Sequence, residues 1–185
     1  MILARGAAAS TVAAIYAASL VAVFGVSALY HRGSWTAAAR LRMKRLDHSM
    51  IFVLIAGTYT PVVVLALHGP WQIVLLSVVW SGAAIGIAMK VARPNGLSVV
   101  TATLYMVLGW AALVALPQLL HGLSPAGFAL MVVGGLLYTA GAIVFALRRP
   151  DPRPAVFGYH EIWHAFMAAA AACHFALVAL IVTRG

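Results

Sequence analysis

Charge is what this sequence has least of. Only 8% of its 185 residues are charged, and Asp and Glu together number three against twelve Lys and Arg. A soluble domain carries about 25% charged residues. The shortfall excludes a water-soluble fold, a disordered chain and a nucleic-acid-binding module, because too few side chains could face water. Cysteine is nearly absent as well: Cys173 stands alone, so the chain has no intramolecular disulfide and no thiolate metal cluster. Any metal would have to be held by His or carboxylate. What fills the sequence is apolar residues, 64% of the total, with a mean hydropathy of +1.03. This is the composition of an integral membrane protein.

A helix needs about 20 apolar residues to cross roughly 30 Å of hydrocarbon. Uncharged runs, divided at turn residues such as His68-Gly69-Pro70 and at Pro117, Gly122 and Pro125, predict six spans, at about 8–30, 48–67, 71–89, 97–116, 126–147 and 162–183. The runs are continuous rather than alternating, which argues against barrel strands. The expected fold is therefore an all-α integral membrane protein, a single helical bundle over residues 1–185. Neither a repeat nor a low-complexity linker interrupts it, apart from the segment Arg148 to Pro154, whose prolines suggest an extended connection.

The positive-inside rule sets the orientation. Arg32, Arg40, Arg42, Lys44 and Arg45 follow the first span, Lys90 and Arg93 the third, and Arg148, Arg149 and Arg153 the fifth, ten of the twelve basic residues. Arg5 and Arg184 fall on the other side. The three basic connections are expected in the cytoplasm and both termini outside. Trp35 and Trp163 on the inner side and Trp71 on the outer side stand where interfacial anchors would.

The residues that carry chemistry gather at the inner end. His31 closes the first span, Asp47 opens the second, and His160-Glu161-Ile162-Trp163-His164 opens the sixth. Residues four apart on a helix have Cβ atoms about 5–6 Å apart, so His160 and His164 can reach one ion. Three imidazoles and an open fourth position describe a catalytic zinc site, with Asp47 near enough to orient or deprotonate a water. Ser27, one turn before His31, can support the site through its hydroxyl. The pentapeptide also matches the H-E-x-x-H pattern of zinc proteases, but no acid follows Glu161 to act as a further ligand. Away from this level, Pro61 should kink the second span. His174, about 15 Å deeper than His164, is expected to bond a neighbouring helix, and His68 and His121 to lie in solvated outer loops. His48 points about 100° away from Asp47. Gly82, Gly86, Gly134, Gly135 and Gly141 mark close helix packing.

Three stretches, Ser27-Ala-Leu-Tyr-His31, Leu46-Asp47-His48 through Thr60-Pro61, and Gly158-Tyr159-His160-Glu161-Ile162-Trp163-His164, resemble the bacterial hemolysin III family. That family is related to the progestin and adipoQ receptors and to the CREST superfamily of membrane hydrolases, which includes alkaline ceramidases. The resemblance runs through nearly the whole chain, including Gly109-Trp110 and Cys173-His174-Phe175. It implies a zinc held by His31, His160 and His164, with Asp47 contacting the metal's water and Ser27 in the family's serine position. The role of Glu161 stays open. The family normally has seven helices; this chain starts at what would be the second, which implies either six true spans or a gene start placed too late.

Together these readings point to a zinc-dependent hydrolase acting on an amide or ester in a membrane lipid, with Asp47 and Ser27 as catalytic residues. The expected location is a bacterial plasma membrane, with the zinc site near the cytoplasmic face. The alternative is a non-enzymatic protein with a structural zinc, either a sensor of membrane state or a pore. A pore would need polar residues along facing helices, and the spans are mostly Ala, Val, Leu and Gly. The implied partner is membrane lipid and not nucleic acid; a homo-oligomer is compatible with the sequence.

Overall fold

In hydrocarbon a backbone N–H or C=O has no water to bond, so a spanning segment must satisfy its own backbone, and a continuous apolar run does so as a helix. The computed structural model describes residues 6–93 and 98–184. Its elements are α1 (Gly6–Arg32), α2 (Ala37–Ala66), α3 (Pro70–Ala92), α4 (Ser98–Trp110), a 3₁₀ segment (Ala111–Ala115), α5 (Leu116–Gly122), α6 (Pro125–Leu147) and α7 (Tyr159–Arg184). Six helical stretches are long and apolar enough to cross a membrane, the one from Val99 to Gly122 comprising α4, the 3₁₀ segment and α5. Arg5 and Leu97, the expected start of the fourth span, lie outside the described residues, as does the side chain of Arg184.

Local chemistry sets the boundaries. The Thr36 hydroxyl accepts a hydrogen bond from the Ala39 N–H at 3.3 Å, and the Ser124 hydroxyl accepts one from the Gly127 N–H at 3.1 Å, each capping the helix that follows. Gly69, with φ of 67°, supplies the left-handed turn ahead of Pro70 that other residues adopt only with strain.

Three expectations need correction. The second span was expected to begin at 48 with Asp47 at its opening; α2 begins at Ala37, about three turns earlier. Its first turns, rich in Ala, Leu, Met, Lys and Arg, are good helix formers, so the helix extends beyond the apolar run. Arg40, Arg42, Lys44 and Arg45 are therefore helical rather than in a loop, and Asp47 sits well inside α2. Likewise Pro117 and Gly122 do not form a loop, for Pro117 occupies the first turn of α5, where its missing N–H costs nothing. Exposed His121 is thus in the last turn of α5 and not in a loop. Finally, the segment after α6 is not extended. Arg148 turns back in the left-handed conformation with φ of 55°, and the N–H groups of Val156 and Phe157 both donate to the Arg153 carbonyl, at 2.9 and 2.8 Å. The resulting compact turn leads into α7, which starts at Tyr159 rather than at 162.

Helix α2 is the central element: 61% of its apolar window is buried, against 28% or less in the other spans. It packs against α1, α3 and α7, with Phe52, Leu75, Val79, Ala83 and Leu177 in the core. Phe52 lies where any Cβ at Gly86 would have to be, and the Ser19 side chain does the same at Gly57, so these small residues let α3 and α1 close on α2. Helix α7 packs along α6 and also touches α1. Among the described residues, however, no Cα of α1 lies within 8 Å of one in α6. The two helices meet over α7 through side chains only, Tyr138 of α6 packing with Tyr16 and Leu20 of α1. Helix α2 runs on through Pro61.

The break between α4 and the 3₁₀ segment leaves backbone groups that the helix no longer pairs. Tyr59, from α2, repairs it: its hydroxyl donates to the Gly109 carbonyl at 2.9 Å and accepts from the Ala112 N–H at 2.8 Å. Tyr59→Phe leaves both backbone groups unpaired in an apolar setting, at about 1–3 kcal/mol each. The expected outcome is a clearly lower thermal midpoint in detergent with unchanged far-ultraviolet helicity at low temperature; an unaltered midpoint would show that the bond contributes nothing.

Candidate metal centre

The start of α7 decides where two of the imidazoles stand. A helix N-terminus presents unpaired N–H groups, and here two of the chain's three acids take them. The Glu161 carboxylate accepts from the Gly158 N–H at 2.8 Å, and the Asp151 Oδ1 accepts from the Tyr159 N–H at 3.1 Å. Glu161 is thus the backward-reaching half of a capping box. Its side chain is exposed and turned to the helix end, which removes the general base that an H-E-x-x-H protease would require. The role left open by the sequence is helix capping.

From this fixed first turn, His160 and His164 project from one face of α7 toward His31 at the end of α1. The ring centroids of His31 lie 5.1 Å from those of His160 and 5.2 Å from those of His164, and His160 and His164 are 4.7 Å apart, all edge-on. One nitrogen from each ring falls within 4.8 Å of the other two, and the Nε2 atoms of His160 and His164 face each other at 3.1 Å. A tetrahedral zinc with Zn–N bonds of about 2.0–2.1 Å spaces its nitrogens roughly 3.3 Å apart. The triad fits such an ion with small side-chain adjustments, and imidazole donors suit zinc better than magnesium or calcium.

Asp47 approaches from α2 at the same level. The imidazoles of His31 and His160 are close enough to act on its charge, and the Ser27 hydroxyl is its side-chain hydrogen-bonding neighbour. All five residues singled out in the sequence therefore meet at one end of the bundle, from three helices. The His48 imidazole also acts on the charge of Asp47 but is tied back to its own helix, where its Nδ1 pairs with the Lys44 carbonyl at 2.7 Å. His174 bonds across to α6 at the Met131 carbonyl, 3.3 Å away, as its depth suggested.

Sequence reasoning missed the aromatic surround. Trp163, read as an interfacial anchor, packs against His164 and His160 with centroids at 4.5 and 5.5 Å. Phe145 of α6 covers Trp163 and His160, at 5.0 and 5.8 Å, and Tyr30 meets His31 at 4.8 Å. Trp163 lies three residues beyond His160, a spacing that shares a helix face and could have flagged it. A cavity of about 260 Å³ lined by Asp151, Pro154, Gly158, Tyr159, His160 and Glu161 opens beside the site from the loop side.

The sequence as a whole has known relatives. Residues 2–175 match the family model described as Haemolysin-III related. "Hemolysin-3 homolog" from Bacillus subtilis (strain 168) is 36% identical over 160 residues, 83% of this chain and 72% of the relative. "Hemolysin-3" from Bacillus cereus is 34% identical over 172 residues, 92% and 75% of the two chains. The human "Monocyte to macrophage differentiation factor" is 28% identical over 165 residues, 87% of this chain and 66% of its own. With the family model spanning nearly its full length, this multi-pass membrane protein belongs to the hemolysin III family.

Proposed function

We propose that the protein is a zinc-dependent hydrolase that cleaves an amide or ester bond of a membrane lipid, in a bacterial plasma membrane with its site near the cytoplasmic face. The observation that carries this reading is the convergence of His31, His160 and His164 with a carboxylate, Asp47, beside them. The three imidazoles would hold the ion. When bound, zinc supplies a Lewis acid that lowers the pKa of water and polarises a carbonyl.

The chain's own residues account for the rest. Asp47 accepts a proton from the attacking water and returns it to the leaving group, and Ser27 orients the carboxylate for that exchange. Trp163 and Phe145 give His160 and His164 a largely apolar flank, where each charge interaction is stronger than in water. The cavity lined by Asp151, His160 and Glu161 admits water to the site.

Two relatives carry the name hemolysin, which brings a pore to mind. Two polar residues a pore would use point elsewhere. Ser77 is exposed on the outside of α3, and the Thr139 hydroxyl is engaged by Trp110 and the Gly135 carbonyl. These features speak against a pore.

Metal analysis of chelator-washed protein should find about one zinc per chain in the wild type and none in the His160→Ala, His164→Ala double variant; folded wild type without metal would overturn the reading. Asp47→Asn should retain the metal and lose about 10²–10⁴-fold in lipid turnover, and unchanged turnover would remove Asp47 from the chemistry. Glu161→Gln preserves the cap and should leave turnover near wild type, while Glu161→Ala frays the start of α7 and weakens metal retention. A loss in Glu161→Gln as large as that in Asp47→Asn would restore Glu161 as a base.

A further inference from the structure

About 15 Å along α7 from His164 lies a second group of polar side chains, which the metal centre does not use. Tyr16 of α1 is 2% exposed and packs in one side-chain cluster with Tyr138 of α6. Tyr138 is within electrostatic reach of Tyr16 and of the Cys173 thiol, and its ring centroid is 5.4 Å from that of His174. Three of the four buried side-chain nitrogen or oxygen atoms without a hydrogen-bond partner among the described residues belong to this group: the hydroxyls of Tyr16 and Tyr138 and the Nδ1 of His174. Helix α6 makes room for the imidazole at Gly134, where a Cβ would stand 2.6 Å from the ring.

The hydrogen-bond chemistry of the group is specific. The Nε2 of His174 faces the Met131 carbonyl, which can only accept, so Nε2 carries the proton and Nδ1 of the neutral ring carries a lone pair. The unmet demand is therefore one acceptor nitrogen beside two phenols that can donate. A carbonyl or ether has no proton for Nδ1, an ammonium cannot accept from a phenol, and an anion would be an unmatched charge at this depth. An O–H group does both. We propose that Tyr16, Tyr138 and His174 form a mid-membrane binding site for one neutral hydroxyl group, brought by a membrane lipid or by a water molecule. The phenols come from α1 and α6, whose backbones stand apart, so the hydroxyl links three helices. This inference is independent of the hydrolase reading.

The test is nitrogen NMR of histidine-labelled protein in detergent, with the His174 signal assigned through His174→Gln, before and after addition of 1-decanol or, as control, decane. A lipid hydroxyl predicts that decanol, and not decane, moves the Nδ1 resonance to its hydrogen-bonded position and raises the thermal midpoint. Both effects should vanish in Tyr16→Phe, Tyr138→Phe protein. A resident water predicts a resonance already in the hydrogen-bonded position, indifferent to decanol and displaced in the single variant Tyr138→Phe. An Nδ1 that resonates as a free imidazole nitrogen with and without decanol would overturn the proposal. The same measurements on the His160→Ala, His164→Ala variant should give the same result, which separates this site from the fate of the metal centre.

Discussion

In hydrocarbon a polar group has no solvent to fall back on, and the bundle is arranged around that constraint. Tyr59 on the central helix supplies both partners that the broken fourth span lacks. Thr60 turns its hydroxyl to the Ala56 carbonyl and receives the Trp80 indole, and Gln72 closes the turn after α2 by donating to the Val64 and Leu67 carbonyls. Where such internal partners run out, the unspent hydrogen-bonding or ligating capacity is concentrated in two places. Among the described residues, one is the imidazole triad at the start of α7 and the other is the phenol and imidazole group further along the same helix.

The scarcity of acids makes the histidine end of the bundle easy to interpret. Each of the chain's three carboxylates has a definite position there: Asp151 and Glu161 fasten the first turn of α7, and Asp47 stands beside the imidazoles. The capping pair acts on the site only through the backbone, by holding the turn from which His160 and His164 project. That division between carboxylates that cap a helix and a carboxylate that stands beside the imidazoles separates this H-E-x-x-H sequence from the protease pattern it matches by spelling.

Much of this was legible in the sequence, and the reasons for success and failure are physical. The six apolar runs, the level shared by His31, Asp47, His160 and His164, and the close packing at Gly86 and Gly134 all follow from length, depth and side-chain size. Hydropathy cannot see a helix that continues past its apolar run into charged residues, so the apolar run alone puts the start of α2 too late and Asp47 too near an end. Nor can it distinguish a proline that ends a span from one, such as Pro117, that starts a new turn within it. The aromatic surround escaped because Trp163 at a membrane interface has two satisfying explanations, anchoring and packing, and only coordinates separate them. The unpartnered hydroxyls of Tyr16 and Tyr138 depend on how three helices meet, which no single segment encodes.

The unequal support of the three imidazoles has a mechanical meaning. His160 and His164 ride on one helix whose first turn is pinned by two carboxylates and whose flank is packed along α6. His31 is exposed and rides on α1, which leans on α2, touches α7 and meets α6 through side chains only. An ion gripped by all three would work as a clasp with two fixed prongs and one that swings, so that docking of the first helix and closure of the centre become a single event.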